Sequence, residues 1–300
     1  MKSNKYNVAI IGLGNIGGGY NFDKNEFSHG NCVKKSDRFN LILGIDKSHI
    51  KRKNFEKRFK CFTTNNINNL KNYKVDTVII STPTNTHLNL VKKVLKIENI
   101  KILILEKPCG KNFNETKKII NLCKEYRKIL LVNYQRIFNP KWLIFQKILK
   151  NQKITGTFHY SRGFKNNCSH VISFLINSGF TKLNLTKIKG ELILKGKNIE
   201  LYFIRNKKKN YYINEGQFFT NNHRILSFNS FNYLKIYNKE KDPSFKTMQN
   251  FNKNAKEYDT EYKIKDNLNF KEFHRIISLK KHEKFYNIYK LTSKITDKVR

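Results

Sequence analysis

The chain has 300 residues, more than one ordinary hydrophobic core accommodates, so its length predicts two domains. Hydrophobic residues make up 39% and aromatic residues 13% of the sequence, which excludes wholesale disorder. Its apolar runs are far shorter than the ~20 residues that span a bilayer, and no apolar signal segment precedes Tyr6. Five cysteines without a CxxC pair argue against a disulfide framework and a structural zinc site. We therefore expect a soluble cytoplasmic protein with no membrane partner and no metal site.

The net charge of +38 arises from 60 lysine and arginine residues against 22 aspartate and glutamate residues. Of the basic residues 50 are lysine and 10 are arginine, and the lysines are spread along the whole chain. Lysine and the 41 asparagines share AT-rich codons, so a mutational bias explains this profile and the asparagine-rich stretch Asn65–Asn72. A nucleic-acid-binding protein would cluster its basic residues and enrich arginine. We predict no specific nucleic-acid partner; a polyanion-binding protein is the alternative that charge alone supports.

The first third of the chain alternates short apolar strands with helical segments. The predicted strands are Asn7–Ile11, Asn40–Ile45, Val75–Ile80, Ile102–Leu105 and Ile129–Val132, and the predicted helices are Ile50–Phe59, His87–Lys96 and Asn114–Tyr126. This alternation is typical of an α/β fold with a parallel sheet covered on both faces. Ligands of such sheets bind at the carboxyl ends of the strands. The residues at these ends are Gly12, Asp46, Thr82, Lys107 and Tyr134.

The pattern changes after about residue 140. A helix at Pro140–Lys150, a strand at Ile154–Ser161 and a helix at Ser169–Asn177 are followed by short alternating strands, which predict a mainly antiparallel sheet. These strands are Ile188–Leu194, Ile199–Ile204, Tyr211–Asn214, Gly216–Thr220, Arg224–Phe228 and Tyr233–Tyr237, and the predicted closing helices are Phe245–Tyr258 and Phe270–Lys298. We therefore predict an α/β domain over residues 1–133 and an α+β domain with a mainly antiparallel open sheet over residues 134–300.

A glycine-rich turn, Gly12-Leu13-Gly14-Asn15-Ile16-Gly17, follows the first predicted strand. This GxGxxG pattern lies in the context of a Rossmann dinucleotide site, with a strand before it and a predicted helix after it. Gly12 allows the tight turn, Gly14 lets the backbone approach a pyrophosphate, and Gly17 allows close packing. The N–H groups of Asn15 and Ile16 at the helix N-terminus then face the phosphates. The alternative is a glycine-rich turn without a ligand, but the strand–helix units that follow favour a dinucleotide.

Asp46 ends the second predicted strand, where a carboxylate accepts hydrogen bonds from the ribose hydroxyls of an adenosine and repels a 2′-phosphate. It lies further along the chain than the usual ~20 residues from the glycine fingerprint, which a longer loop at Gly18–Asn31 explains. NAD is therefore the favoured cofactor. NADP stays open, because four nearby residues are able to hold a 2′-phosphate. They are Lys47, Ser48, Lys51 and Arg52.

The triplet Glu106-Lys107-Pro108 follows the fourth predicted strand. A lysine at the carboxyl edge of the sheet points into the crevice of the nicotinamide, where its ammonium polarises a reacting hydroxyl or carbonyl oxygen. The alternative is one more surface lysine among many. Pro108 favours the functional interpretation, because it fixes the backbone just after the strand.

Together these segments resemble the Gfo/Idh/MocA oxidoreductases, the family of glucose-fructose oxidoreductase and inositol dehydrogenase. The resemblance lies in Gly12–Gly17, Asp46, Ser81–His87, Glu106–Pro108, Asn133–Arg136, Tyr160–Gly163 and Asn166–His170. It implies an NAD(P)-binding Rossmann domain and an α+β domain whose open sheet forms a homo-oligomer interface. It also implies hydride transfer between the nicotinamide and a sugar, cyclitol or sugar-nucleotide carbon, by analogy in the synthesis of surface-polysaccharide sugars.

The resemblance further implies roles for individual residues. Lys107 matches the family's lysine that touches both nicotinamide and substrate, and His170 matches the histidine of its Asp-x-x-x-His pair; these two are the predicted catalytic residues. The residues implied on the nicotinamide side of the cofactor site are Ser81, Thr82, Pro83, His87 and Glu106. Tyr134 and Arg136 fall where the family has substrate-pocket residues.

Two carboxylates of the family pattern are replaced. Asn166 lies where the family has the aspartate four residues before the histidine, and Ser173 replaces another aspartate. An amide accepts no proton at neutral pH, so we expect His170 to carry the acid–base role while Asn166 contacts the substrate. The replacements support a non-catalytic binding protein of the same fold as the alternative.

Several other polar residues are weaker candidates. His29 and Asp23, in the long loop after the glycine turn, border the substrate, the cofactor or the solvent. Cys109 and Cys168 lie near Lys107 and His170, but a small residue that fills a tight space is the favoured interpretation of each.

Overall fold

The chain folds into two units, each built on its own sheet. The computed structural model describes residues 5–19, 28–138, 140–207, 213–228, 233–245, 247–252, 256–259 and 282–299. The first unit holds the described residues up to Tyr134 together with 282–290, and the second holds those from Gln135 to 259 together with 291–299. The predicted domains, 1–133 and 134–300, differ from this division at Tyr134 and at residues 282–290.

Six strands form the parallel sheet that the structure describes in the first unit. They are β1 (Tyr6–Ile11), β2 (Phe39–Ile45), β3 (Phe62–Thr64), β4 (Thr77–Ile80), β5 (Ile102–Leu105) and β6 (Ile129–Val132). Their order, β3-β2-β1-β4-β5-β6, is that of a Rossmann fold and confirms the predicted α/β class. Every residue of β4 and β5 is buried, which explains why both read as continuous apolar runs.

Helices connect these strands. They are α1 (Asn15–Gly18), α2 (His29–Lys34), α3 (His49–Phe59), α4 (His87–Leu95) and α5 (Phe113–Glu125), with 3-10 helices at Ile67–Asn72 and Thr84–Thr86. Ser48 and Asn112 are the N-cap residues of α3 and α5. Their side chains accept hydrogen bonds from Lys51 N–H and Glu115 N–H, which stabilises the first turn of each helix. The helix after the glycine turn is a single turn long, which is shorter than its sequence context predicts.

The second unit contains two helices and a sheet of nine described strands. The helices are α6 (Pro140–Leu149) and α7 (Phe164–Asn177), with a 3-10 helix at Gln135–Phe138. The strands are β7 (Ile154–Tyr160), β8 (Asn184–Ile188), β9 (Glu191–Gly196), β10 (Ile199–Arg205), β11 (Asn214–Phe219), β12 (His223–Phe228), β13 (Tyr233–Lys241), β14 (Gln249–Phe251) and β15 (Lys256–Asp259). The order is β14-β13-β12-β11-β7-β10-β9-β8, with β15 on β13. Of the described pairs only β7–β10 is parallel, which confirms the predicted mainly antiparallel sheet.

Aromatic side chains join α6 and α7 to the sheet. The Trp142 ring lies 4.7 Å from that of Phe174, and the Phe145 ring lies 5.0 Å from Phe174 and 5.5 Å from Phe218. All four rings are buried. Since each aromatic side chain buries a large apolar area, this cluster forms the core of the second unit.

Four predicted elements of the second half are wrong or incomplete. Of the predicted strand 211–214, Tyr211 and Tyr212 lie outside the described residues, and Asn214 is the first residue of β11. The predicted strand at 188–194 is a hairpin, because Lys189 and Gly190 take positive φ angles and turn β8 into β9. Part of the predicted helix 245–258 is instead the strands β14 and β15, both paired with β13. Of the predicted helix 270–298, the structure describes α8 (Lys284–Thr296); residues 260–281 lie outside the described residues.

The first part of α8 covers the edge of the parallel sheet in the first unit. β6 is the last strand of that sheet, and Leu130 N–H donates to the hydroxyl of Tyr286 across 3.4 Å. Burial raises the pKa of Tyr286 to about 12, so this hydroxyl keeps its proton. The ring of Tyr289 lies 5.9 Å from that of Tyr134 and is also buried. The tyrosines thus satisfy an edge N–H and shield the strand.

Candidate functional site

A cavity of about 1530 Å³ opens at the carboxyl edge of the parallel sheet in the first unit. The ends of β1, β2 and β4 form its floor, as expected for ligand sites of such sheets. Eight residues predicted to bind a cofactor line it, namely Gly12, Gly14, Asn15, Ile16, Asp46, Ser81, Thr82 and Pro83. The other four, Gly17, His87, Glu106 and Lys107, are not among the residues that line it.

The three glycines of the turn differ in what surrounds them. Gly12 has a φ of +94°, and a Cβ there would lie 2.8 Å from Thr82 Cγ2. A Cβ on Gly17 would lie 1.8 Å from the carbonyl oxygen of Gly12, so the helix approaches the turn too closely for any side chain. A Cβ on Gly14 would meet only Lys51 Nζ at 3.9 Å and would project into the cavity. The turn is therefore a cradle that an elongated ligand fits and that a side chain at Gly14 would fill.

Asp46 is fixed beside this turn by two backbone groups. Leu13 N–H donates to its Oδ2 across 2.8 Å, and Ser48 N–H donates to its Oδ1 across 2.9 Å. Each carboxylate oxygen retains a lone pair for another donor. A half-buried carboxylate in this place fits the two hydroxyls of a ribose whose phosphate lies on the glycine turn.

The basic residues near Asp46 have different tasks. The guanidinium of Arg52 donates to the carbonyl oxygens of Asp46 and Lys47. The Ser48 side chain caps the N-terminus of α3, so both side chains hold the backbone in place. Lys47 and Lys51 line the cavity. Three lysines that the sequence analysis did not single out line it as well, namely Lys71, Lys93 and Lys96. The cavity is therefore positively charged, which favours a ligand with phosphate groups.

The asparagine-rich stretch, interpreted above as compositional, also lines the cavity. Asn65, Asn66, Ile67 and Asn68 contribute to its wall, and the side chain of Asn66 begins the 3-10 helix by accepting from Asn68 N–H. No spacing signal in the sequence separates these asparagines from those on the rest of the surface. Only the return of the chain to the sheet edge after β3 places them here.

The loop after β4 is held against the glycine turn. The Ser81 hydroxyl donates to the carbonyl oxygen of Gly12 across 2.7 Å. The hydroxyls of Thr82 and Thr86 lie 2.7 Å apart, and that of Thr86 donates to the carbonyl oxygen of Pro83. These contacts fix the segment Ser81–Pro83 that forms the second wall of the cavity.

His87 differs from the expectation that it binds the cofactor. Its side chain is fully buried, with Nε2 2.9 Å from the carbonyl oxygen of Thr82 and Nδ1 3.1 Å from that of Cys109. The ring therefore joins the loop after β4 to the turn after β5. These contacts and its burial favour a role for His87 in positioning the wall of the cavity.

Glu106 is likewise not among the residues that line the cavity. His29 Nε2 lies 2.9 Å from its Oε1, Asn133 Nδ2 donates to the same oxygen across 2.6 Å, and Lys107 N–H donates to Oε2 across 3.2 Å. Burial raises the pKa of this carboxyl, but the hydrogen bonds from His29 and Asn133 and the charges of His29 and Lys107 outweigh it, so the pKa lies below its ordinary value. Glu106 is an ionised structural group, and His29 is its buried partner rather than an exposed loop residue.

The predicted catalytic residues lie in different units. Lys107 follows β5 in the first unit, half-buried and joined to Pro108 by a cis peptide bond. His170 is half-buried on α7 in the second unit. Asn166, four residues earlier on the same helix, is exposed, so the two side chains share a face. Their roles remain predictions.

The other candidate residues of the second half and Tyr134 are mostly buried or packed against neighbouring side chains. Ser173 is buried, and its hydroxyl donates to the carbonyl oxygen of His170 on the same helix. Tyr134 is 1% exposed, which does not favour substrate contact, and the guanidinium of Arg136 lies 5.9 Å from the Trp142 ring centre. Burial raises the pKa of the Cys168 thiol, which favours a packing role. Asp23 lies outside the described residues.

No group of three or more histidine, cysteine, aspartate or glutamate side chains in the described part of the chain has the arrangement of a metal site. None of the helices described is both long and apolar enough to cross a membrane.

Comparisons with known proteins agree with this geometry. The profile of the Gfo/Idh/MocA family, described as an oxidoreductase family with an NAD-binding Rossmann fold, matches residues 6–134. The rhizopine catabolism protein MocA of Rhizobium meliloti is 37% identical over 68 residues, which is 23% of this chain and 21% of that protein. The match to MocA thus spans about a fifth of either chain.

Solved structures resemble the whole chain. The dehydrogenase MviM of Clostridium difficile has a TM-score of 0.74 and 16% identity, over 98% of this chain and 99% of that one. The 3-ketoreductase KijD10 of Actinomadura kijaniata, crystallised with NADP and TDP-benzene, has a TM-score of 0.78 and 12% identity, over 99% and 97%. At these identities the likeness shows that the fold is shared.

Proposed function

We propose that this chain is an NAD(P)-dependent dehydrogenase or reductase of the Gfo/Idh/MocA oxidoreductase family, whose profile matches residues 6–134. The proposed reaction transfers hydride between the nicotinamide and a hydroxyl or ketone carbon of a sugar, cyclitol or sugar nucleotide. The observation that carries the proposal is the basic cavity in which Gly14 and Asp46 lie side by side at the carboxyl edge of the sheet.

The residues of this cavity fit a dinucleotide. The open face of Gly14 and the N–H groups of Asn15 and Ile16 would hold the pyrophosphate, and Asp46 would accept the adenosine ribose hydroxyls. Ser81, Thr82 and Pro83 would border the nicotinamide half. When bound, the nicotinamide supplies the hydride acceptor or donor.

The substrate end of the proposal uses Lys107 and His170. The ammonium of Lys107 polarises the reacting oxygen, and the imidazole of His170 takes the proton of the hydroxyl or returns it in the reductive direction. Asn166, on the same face of α7, orients the substrate by hydrogen bonding. A sugar nucleotide is one proposed substrate because KijD10 binds a TDP compound on the same fold.

Turnover tests the assignment directly. Absorbance of the reduced nicotinamide would be followed with a panel of sugars, cyclitols and sugar nucleotides. We expect Lys107→Ala and His170→Ala each to lose most turnover, at least ~100-fold, while dinucleotide affinity stays within a few fold. Wild-type rates in both variants would contradict the assigned roles.

Cofactor preference is part of the same proposal. NAD is expected because Asp46 keeps its carboxylate at the ribose position, while Lys47 and Lys51 also admit the 2′-phosphate of NADP. The double variant Lys47→Glu, Lys51→Glu should raise the KM for NADPH at least ~10-fold and change that for NADH little. Lys92→Glu, an exposed α4 lysine that is not among the residues lining the cavity, is the matched control.

A non-catalytic binding protein remains the second candidate. It is favoured by Asn166 and by the buried Ser173 hydroxyl, since neither of these side chains takes a proton. If the protein binds the dinucleotide but turns over no member of the substrate panel, the non-catalytic binding protein is the correct assignment.

We also propose a homo-oligomer formed through the open face of the second unit's sheet, and a cytoplasmic location. Half-buried side chains such as Tyr202, Gln217 and Phe219 lie on that face, opposite the core. All five cysteines are free thiols, which supports a reducing compartment. Light scattering of the purified protein tests the oligomer.

A further inference from the structure

A buried carboxylate joins three segments directly behind the proposed catalytic lysine. Glu106 follows β5, Asn133 follows β6, and His29 begins α2, which lies far away in sequence. The carboxylate accepts from Asn133 Nδ2 across 2.6 Å, and His29 Nε2 lies 2.9 Å from the same oxygen. The side chain of His29 is 5% exposed and that of Glu106 is 14% exposed. No step of the proposed reaction uses these groups.

The two carboxylate oxygens are divided between two tasks. Oε1 takes the contacts from His29 and Asn133, which fixes the orientation of the carboxylate plane. Oε2 is then directed to the backbone N–H of Lys107 across 3.2 Å. A carboxylate anchored on one oxygen holds its other oxygen still, so the turn that carries Lys107 is held in place.

We propose that His29 is a positioning residue for Lys107, acting through the carboxylate of Glu106. This inference rests on the proposed function in one respect: His29 affects turnover only if Lys107 has the proposed catalytic role. The contact with the carboxylate requires a proton on His29 Nε2, which the charged ring carries and which the neutral ring carries in one of its two tautomers. Without that donor, Oε1 keeps only the hydrogen bond from Asn133, and the carboxylate is held less firmly.

The expected signature differs from that of a binding residue. Neither His29 nor Glu106 is among the residues that line the cavity, so dinucleotide affinity should not depend on them. Displacement of a catalytic group by about 1 Å costs up to ~100-fold in rate. Loss of the His29 donor should therefore lower kcat at least ~10-fold and leave the Kd for NAD(H) within a few fold.

The chain offers a matched control. His29 and His49 are each the first residue of a helix, and each follows a serine whose side chain accepts from an N–H three residues on. His49 is exposed. His49→Ala thus repeats the chemical change of His29→Ala at an equivalent helix position without touching Glu106.

The first measurement is amide hydrogen exchange of Lys107 in the full-length protein, which needs no turnover. We expect at least ~10-fold faster exchange in His29→Ala, and rates near wild type in His29→Gln, whose amide restores a donor, and in His49→Ala. His29→Phe keeps the buried volume without the donor and should match His29→Ala, which covers the case in which the alanine variant fails to fold. Unchanged exchange in the donor-less variants, or no rescue by glutamine, overturns the inference.

The second measurement is the split between kcat and Kd in the same variants, with Lys107→Ala as reference. Low kcat with normal NAD(H) affinity in His29→Phe, rescued in His29→Gln, supports the positioning role. Wild-type kcat in His29→Phe overturns it. If Lys107→Ala turns over at the wild-type rate, the proposed function fails at Lys107 while the exchange result still decides whether His29 holds the turn.

Discussion

The sheets of the two units are covered in different ways. In the first unit every residue of β4 and β5 is buried, so these strands carry only apolar packing and the polar chemistry lies at their ends. In the second unit β10 and β11 alternate between buried and half-buried residues, and one face packs against α6 and α7. The first sheet therefore forms a cavity at its edge, and the second sheet carries half-buried side chains on the face opposite its core.

The largest expected effect comes from the edge of the first sheet. Gly17→Ala would place a Cβ 1.8 Å from the carbonyl oxygen of Gly12, and backbone atoms at both ends leave no room for relaxation. We expect the free energy of unfolding to fall by more than about 3 kcal/mol, with loss of NAD(H) binding. Calorimetry and denaturant titration measure the first effect, and fluorescence titration the second.

Gly14→Ala separates ligand binding from stability at the same turn. Its Cβ would meet no atom nearer than 3.9 Å, so unfolding should change by less than about 1 kcal/mol while NAD(H) affinity falls at least ~10-fold. Equal stability losses in the two glycine variants would contradict the difference in their surroundings.

The core of the second unit gives the next largest effect. Phe145 is fully buried, with ring contacts to Trp142, Phe174 and Phe218. Phe145→Ala should destabilise the protein by about 3–5 kcal/mol, since a large cavity forms among aromatic rings. The exposed Leu143 on the same helix is the control, and Leu143→Ala should cost less than about 1 kcal/mol. A small loss in Phe145→Ala would show that this cluster is not the core.

The two units also differ in how much of each could be predicted from sequence. The apolar strands of the first sheet and the GxGxxG turn are local patterns, and the structure confirms them. β3 was not predicted, because it is only three residues long. It forms a strand because it pairs with β2, and its composition alone does not indicate one. The strands β14 and β15 are polar, and the pairing with β13 overrides their weak local preference.

The site shows the same limit. The lining residues of the GxGxxG turn could be predicted, because the spacing of the glycines itself specifies the conformation of the turn. His29 and Glu106 are 77 residues apart, and no periodicity in either segment indicates that they meet. Lys71 and Lys93 were hidden among the many lysines, since their residue type carries no information in this composition.

Acid should weaken the first unit through Glu106. The folded state holds the pKa of this carboxyl below its ordinary value of 4.5, so its stabilising contacts are present above that pH and are lost as the pH falls through the lower folded pKa. Glu106→Gln, which does not titrate, should cost about 1–3 kcal/mol at neutral pH and progressively less in acid. Urea titrations across pH measure the difference, with the exposed Glu98→Gln as the control. A difference between wild type and Glu106→Gln that is constant with pH would contradict the ionised carboxylate.

The smallest effect on folding is expected on the open face of the second sheet. Gln217 lies beside Thr157, which in turn lies beside Tyr202, and all three are half-buried on the face opposite the aromatic core. Gln217→Lys should change the free energy of unfolding of one subunit by no more than about 0.5 kcal/mol, because the side chain can reach solvent. If this face is the proposed oligomer interface, the same substitution brings like charges together and lowers the mass measured by light scattering. Gln249→Lys, the same change on the exposed strand β14, should leave the mass unaltered, and an unchanged mass in both variants would exclude the face as the interface.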